Sequence, residues 1–219
     1  MRVTRIETQK RSPNRKNIYV DGEFVAGVSD ETLLRLGLRT GDEIDPDKLA
    51  SLQATEELLN AKRAALRFLS YRLRTVREVR DKLRENEFGD DVISKTVYDL
   101  EQSGLLNDKE FAQTYIRDTF AIRPSGKYLL KRRLLLLGLD KSLVDEALDE
   151  SLENESQEIA ALEAARKFIK KANALQRRKD PLKIRNRLVN FLSRRGFTWD
   201  MITKTVKEVL EEEHQENVE

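Results

Sequence analysis

Apolar residues recur with one spacing three times along the chain: Leu83, Phe88, Ile93, Val97; Leu134, Leu139, Val144, Leu148; and Leu192, Phe197, Ile202, Val206. Each set steps by five, five and four residues, and an aliphatic residue stands nine positions before each second member: Val79, Leu130 and Leu188. Such copies bury one seam each against neighbouring helices, which is the signature of a helical repeat protein. The offsets, 51 residues from Phe88 to Leu139 and 58 from Leu139 to Phe197, hold about three helices per copy at ordinary helix and loop lengths.

The first 45 residues follow a different pattern. Residues 17–20 and 23–28 read as two strands about Asp21-Gly22, a dipeptide that supplies the positive φ angles of a tight hairpin turn. Residues 2–9 are expected to add a third strand through a loop at Ser12-Pro13-Asn14, and Ser29 to cap a short helix ending at Leu36 before Gly37. Asp45-Pro46 then opens the helical part, with Asp as cap and Pro in the first turn. Helices are expected over 46 to about 72, from Val76 after Arg74-Thr75, from Gly89-Asp90-Asp91 to near Gly104, and from an Asn107-Asp108 cap through Phe111 and Tyr115. Further helices are expected at 127–137, 140–152, 154–174, 182–195 and 199–212. The predicted fold is mainly α: three tandem three-helix repeats, elongated helix-turn-helix-like bundles, preceded by a small β-hairpin module. The divisions are a β-rich module at 1–45, repeats at 46–105, 106–153 and 154–213, and an acidic tail at 214–219.

Within each repeat the second and third helices meet at a corner plugged by an apolar residue: Glu87-Phe88-Gly89, Gly138-Leu139-Asp140 and Arg195-Gly196-Phe197. The same construction serves both packing repeats and helix-turn-helix DNA readers, and sequence alone does not separate the two uses.

Charge sharpens this picture. Of 219 residues 37% are charged and 6% aromatic, which favours charged helices around thin seams over one thick core. The net charge of +2 conceals blocks: nine Lys or Arg against four Asp or Glu in 61–88, one against nine in 140–163, and twelve against one in 164–195. Basic helix faces are expected at Arg63, Arg67, Arg72, Arg74, Arg77, Arg80, Lys82 and Arg84 in repeat one. Repeat two offers Lys127, Lys131, Arg132 and Arg133, and repeat three Lys183, Arg185, Arg187, Arg194 and Arg195. Interleaved charge, as in repeat one, often makes only a solvated face; twelve cations with one anion repel one another unless a polyanion or an acidic protein neutralises them.

Several chemistries find no residues to carry them. With no cysteine and one histidine, His214, in an acidic tail, the chain assembles no thiolate or histidine metal cluster and no histidine-dependent triad, so no metal or cofactor is expected. It carries no phosphate-cradling loop, dinucleotide fingerprint or nucleophile elbow. The carboxylate pairs Asp90 with Asp91 and Asp145 with Glu146 read as caps or surface ion pairs, so no catalytic residue is assigned. Tyr71, Tyr128, Phe191 and Trp199 are the aromatics available for base stacking, and each is expected in the core. No apolar run is long enough for a signal peptide or membrane span, so a cytoplasmic location without a membrane partner is expected.

Leu69, Thr75, Glu78-Val79, Leu83, then Gly104-Leu105-Leu106-Asn107-Asp108, Phe111-Ala112, Gly126, Leu130, Leu134 and Gly138-Leu139 form a pattern that resembles the RecX regulators of the RecA recombinase. The run Phe191-Leu192-Ser193-Arg194-Arg195-Gly196-Phe197 is similar to that family's third repeat. The resemblance covers about residues 60–212; Val79 stands where Leu is commoner, and the first 45 residues lie outside the shared core. It implies three three-helix repeats, no catalysis, and binding in the groove of the RecA–DNA filament with inhibition of recombinase, ATPase and repressor-cleavage activities. The expected partners are the RecA filament and single- or double-stranded DNA without sequence specificity, met by a monomer. A free-standing helix-turn-helix-like DNA-binding protein or transcription factor is the alternative.

Overall fold

A computed structural model describes residues 1–10, 12–175 and 181–216. Three antiparallel strands, β1 (Val3–Gln9), β2 (Ser12–Val20) and β3 (Glu23–Ser29), pair in the order β1-β2-β3. Asp21 and Gly22, at φ 50° and 90°, make the predicted turn. The expected loop at Ser12-Pro13-Asn14 is instead the start of β2. Pairing with β1 jumps there from Thr8 opposite Lys16 to Gln9 opposite Ser12, so Pro13 and Asn14 fall in an irregularity where the missing proline N–H forfeits no ladder bond.

Val3, Ile18, Val20 and Val28 pack with Leu38, Ile44 and Leu52 in one buried cluster. Helix α1 (Asp30–Leu36) starts at Ser29, whose side chain accepts from Thr32 N, and ends before Gly37 as expected. Leu52 lies on α2 (Pro46–Leu69), so the core of the sheet reaches past residue 45 into that helix.

Glu56 on α2 ties the two together from a buried position. Its Oε2 accepts from Ser29 N at 2.9 Å and Thr32 Oγ1 at 2.5 Å. Its Oε1 stands 3.0 Å from Arg15 Nη1 in an ion pair whose angle falls short of a hydrogen bond. Arg15 also donates to Gly27 O at 2.7 Å and Asn60 Oδ1 at 3.2 Å. Burial pushes the Glu56 carboxyl up, but the Thr32 and Ser29 hydrogen bonds and the Arg15 charge outweigh it and hold it below its ordinary 4.5. The resulting stabilisation is fully present above that value and is lost as pH falls through the lower folded one, because the unfolded chain then binds the extra proton. Protection of the Ser29 amide, corrected for intrinsic exchange, should therefore drop below pH 4.5. In Glu56→Gln that pH dependence should vanish.

The chain separates into two units, Met1–Leu73 with Val79–Leu105, and Arg74–Glu78 with Leu106–Glu219. In the first, α2 packs on α4 (Asp90–Gln102), and α3 (Val76–Glu85) contributes the buried Val79 and Leu83. In the second, α5 (Asp108–Ile122), α6 (Lys127–Leu136) and α7 (Lys141–Ser151) enclose Phe111, Ile116, Leu130, Leu134, Leu139, Val144 and Leu148. A matching cluster within α8 (Asn154–Leu175), α9 (Pro181–Arg194) and α10 (Trp199–Glu216) contains Leu188, Leu192, Phe197, Ile202 and Val206. Every seam residue read from the sequence is buried except Phe88, which is half-buried.

The repeated spacing has a local cause at the corners. The N–H of Phe88, Leu139 and Phe197 each bonds back five residues, to Leu83, Leu134 and Leu192, and the residue before each plug bonds back three. These are Schellman closures, which bring the plug onto the last seam residue of the preceding helix and need a left-handed residue between them. Gly138 (φ 88°) and Gly196 (φ 80°) fill that position in repeats two and three, but Glu87 (φ 63°) fills it in repeat one. A side chain there costs about 1–2 kcal/mol, offset by about 0.5–1 kcal/mol of glycine entropy. Glu87→Gly should accordingly stabilise the protein by about 0.5–1 kcal/mol, seen as a higher thermal midpoint.

Three of the four aromatics expected in the core are on the surface: Tyr71, Tyr128 and Trp199 are 79%, 63% and 67% exposed. Tyr71 lies past the end of α2, Tyr128 sits two residues off the α6 seam, and Trp199 precedes the first buried residue of α10, Met201. Phe191 is partly buried against the repeat-three core.

Candidate functional site: an arginine-lined cleft

Most cations singled out from the sequence in repeat one are held by neighbours. Arg63 pairs with Glu31 at 3.4 Å, Arg74 with Glu78 at 3.6 Å, and Lys82 with Glu85 at 2.8 Å. Arg84 stands 3.4 Å from both Asp81 and Asp90, and Arg80 donates to Ser94 Oγ at 3.4 Å. Arg67 and Arg72 are exposed, the latter donating to Leu73 O, and exposed Arg77 lies against Gly138. In repeat two, Lys127 is paired with Asp149 and Lys131 with Asp145, whose carboxyl the lysine holds below its ordinary value. The acidic block at 140–163 thus neutralises the lysines of α6 and leaves its arginines, Arg132 and Arg133.

Arginines that do converge lie where α5, α6, α8 and α9 meet. A cleft of about 530 Å³ is lined by Arg123, Ser125, Leu129, Arg133, Phe168, Arg187, Asn190, Phe191, Arg194 and Arg195, with no carboxylate among them. On α9, residues 187, 190, 191 and 194, continued by Arg195, recur at steps of three and four and so share one face beside the buried 184-188-192 seam. Lys183 and Arg185 are exposed on α9 but do not line the cleft. The basic joint expected at Arg177, Arg178 and Lys179, and the side chain of His214, lie outside the described residues.

A backbone junction fixes the cleft. Gly126 N and Tyr128 N, at the start of α6, donate to Arg195 O (2.8 Å) and Gly196 O (3.0 Å), just past the end of α9. Two helix ends with orphan groups of opposite kind thereby satisfy each other. Arg195 Nη1 donates to Pro124 O at 3.2 Å and its guanidinium lies 4.7 Å over the Phe191 ring, while its Nε is buried without a partner. Burial and the Arg123 charge both push the Arg195 guanidinium below its ordinary value, without discharging it. An uncompensated, partly desolvated cation beside four others is a site that an anion stabilises. Sequence reasoning missed Arg123 and Phe168; the cleft face of α9 was legible in its spacing, whereas Phe168 reaches it by stacking on Phe191 from α8 and Arg123 only through the junction.

A small sheet followed by tandem three-helix bundles with Schellman corners places the protein in the class of α-helical repeat proteins. Sequence models of the RecX family match the chain in order: the regulatory protein RecX N-terminal domain at residues 1–45, and the first, second and third three-helix domains at 61–100, 107–148 and 158–206. The chain is 33% identical over 212 residues to the regulatory protein RecX of Clostridium acetobutylicum, covering 96% of this chain and 97% of that protein. It is 31% identical to that of Clostridium beijerinckii, covering 95% and 96%. A crystal structure of a regulatory protein RecX shares the fold at TM-score 0.76, with 24% identity over 94% of this chain and 98% of that one. RecX from Lactobacillus salivarius superposes at TM-score 0.65, with 28% identity over 71% and 97%. The chain belongs to the RecX family of regulatory proteins. The expectation that its first 45 residues lie outside the family's shared core is corrected by the match at 1–45: a short sheet offers few patterned positions to recognise, and its membership shows only in the whole-domain comparison.

Proposed function

We propose that this protein is a non-catalytic cytoplasmic regulator that binds RecA filaments and their DNA and lowers recombinase, ATPase and coprotease activity. The observation that carries the reading is the cleft, five arginines with no carboxylate among its described lining residues, whereas the lysines of α6 and several repeat-one cations stand against carboxylates. An anionic filament supplies the missing counter-charge, and repeated units let a monomer engage several protomers with added avidity. Arg132, exposed on α6, and Arg67, exposed on α2, are secondary contacts in this reading.

The helix-turn-helix alternative fares worse on charge. The third helix of each repeat would enter the major groove, yet α4, α7 and α10 each carry more Asp and Glu than Lys, four against one, four against one and six against two. The Gly138 and Gly196 corners are also covered, by Arg77 and by Leu129.

ATP hydrolysis by RecA filaments on single-stranded DNA should fall as the purified protein is added. Unchanged turnover at saturating protein would overturn the reading.

A further inference from the structure

Beside the arginine-lined space, and sharing Phe168, Arg187, Phe191 and Arg195 with it, lies a second cleft of about 450 Å³. Its floor is apolar, formed by Pro124, Ala160, Ala164 and Ala172 with the two rings, and its rim carries Lys167 and Lys171. We infer that the joined clefts receive an acidic protein segment, one large apolar side chain entering the alanine-floored half while flanking carboxylates reach the arginines and rim lysines. The inference rests on the filament-binding reading and deepens it, by assigning this site to the protein component of the partner and not to nucleic acid.

Three observations favour a peptide. The floor offers only alanine, proline and ring carbon, which suits an aliphatic or aromatic side chain and leaves the polar edge of a base without partners. Phe168 and Phe191 stack on each other at 4.8 Å, and each also carries a guanidinium, Arg187 at 5.9 Å and Arg195 at 4.7 Å. A base stacking on either ring would compete with these neighbours. The cationic lining, with Arg195 Nε buried and unpartnered, matches carboxylates, which accept the paired N–H groups of a guanidinium side by side. Glu163, the one acid among the described lining residues, is 3.6 Å from exposed Lys167, too far for a hydrogen bond, so both rim lysines can meet ligand carboxylates.

The test uses the full chain at physiological salt and three fluorescent probes: a glutamate-rich peptide with one central phenylalanine, the same peptide with alanine in its place, and an oligothymidylate of equal charge. The phenylalanine peptide should bind about ten-fold tighter than the alanine peptide, the fold-change expected for burying that side chain. Lys167→Glu with Lys171→Glu, both exposed, should weaken it about ten-fold with an unchanged circular dichroism spectrum. Equal affinity for the two peptides, or displacement of the phenylalanine peptide by equimolar oligothymidylate, would overturn the inference. Because none of these measurements contains RecA, their failure is distinguishable from failure of the filament reading, which the ATPase assay reports separately.

Discussion

On the filament-binding reading, reversing Arg123, Arg187 and Arg194 to glutamate together should lower affinity for RecA filaments on single-stranded DNA by about a hundred-fold, with a thermal midpoint within a degree or two of the parent. Each of the three is exposed, lines the cleft and faces no carboxylate there, so its charge is available to a ligand and contributes little to the fold. A loss of about 1 kcal/mol per reversed contact sums to about 3 kcal/mol, or two decades in the dissociation constant. Stability should rise slightly if it moves at all, because Arg195 loses the repulsion of Arg123. Arg195 is left in place, since its bond to Pro124 O and its packing on Phe191 make its loss structural. Lys204 and Lys207 provide the control: they are exposed on α10 and paired with Glu158 at 2.6 Å and Glu211 at 4.0 Å. Equal losses from their reversal would mean that overall charge, and not the cleft, governs binding. The affinity of the parent should also fall steeply with salt, and that slope should flatten in the triple variant.

The seam and corners were legible because both are local. Leu83 with Phe88, Leu134 with Leu139 and Leu192 with Phe197 are joined by bonds spanning five residues, so a fixed closure imposes a fixed spacing that survives in the sequence. The caps at Ser29, Asp45 and Asn107 were legible for the same reason. The cleft was not. Arg132 and Lys131 are adjacent in sequence, yet Asp145 on the next helix neutralises one and not the other, and the pairing depends on how α6 faces α7. Arg123 looks like a helix-ending residue before Pro124 and joins the site only because residue 195 comes to residue 126. A contact between residues about seventy apart leaves no periodicity. What it does leave is two glycines.

Those glycines carry the other large effect. Gly126 has an ordinary backbone, φ −71° and ψ 162°, so its need for glycine is steric alone. A Cβ there would stand 2.2 Å from Gly196 O and 2.3 Å from Phe197 N, backbone atoms that cannot yield without breaking the junction. A Cβ at Gly196 would meet Leu129 N at 2.2 Å and would also be held at φ 80°. Gly126→Ala and Gly196→Ala should each destabilise the second unit by about 3 kcal/mol, at the upper end of overpacking costs. Gly104→Ala separates strain from contact: at φ 70° with nothing near its Cβ, it should lose only about 1 kcal/mol. Urea melts followed by circular dichroism and by Trp199, the chain's one tryptophan and two residues beyond Phe197, would measure all three. The double variant should lose little more than either single one, because the first substitution already opens the shared contact. Both should also weaken filament binding without changing a single charge, since the same junction holds Arg195 against Pro124. If Gly126→Ala proved no more costly than Gly104→Ala, the close approach of the two helix ends would be wrong, and the convergence of Arg123 with Arg195 would fall with it.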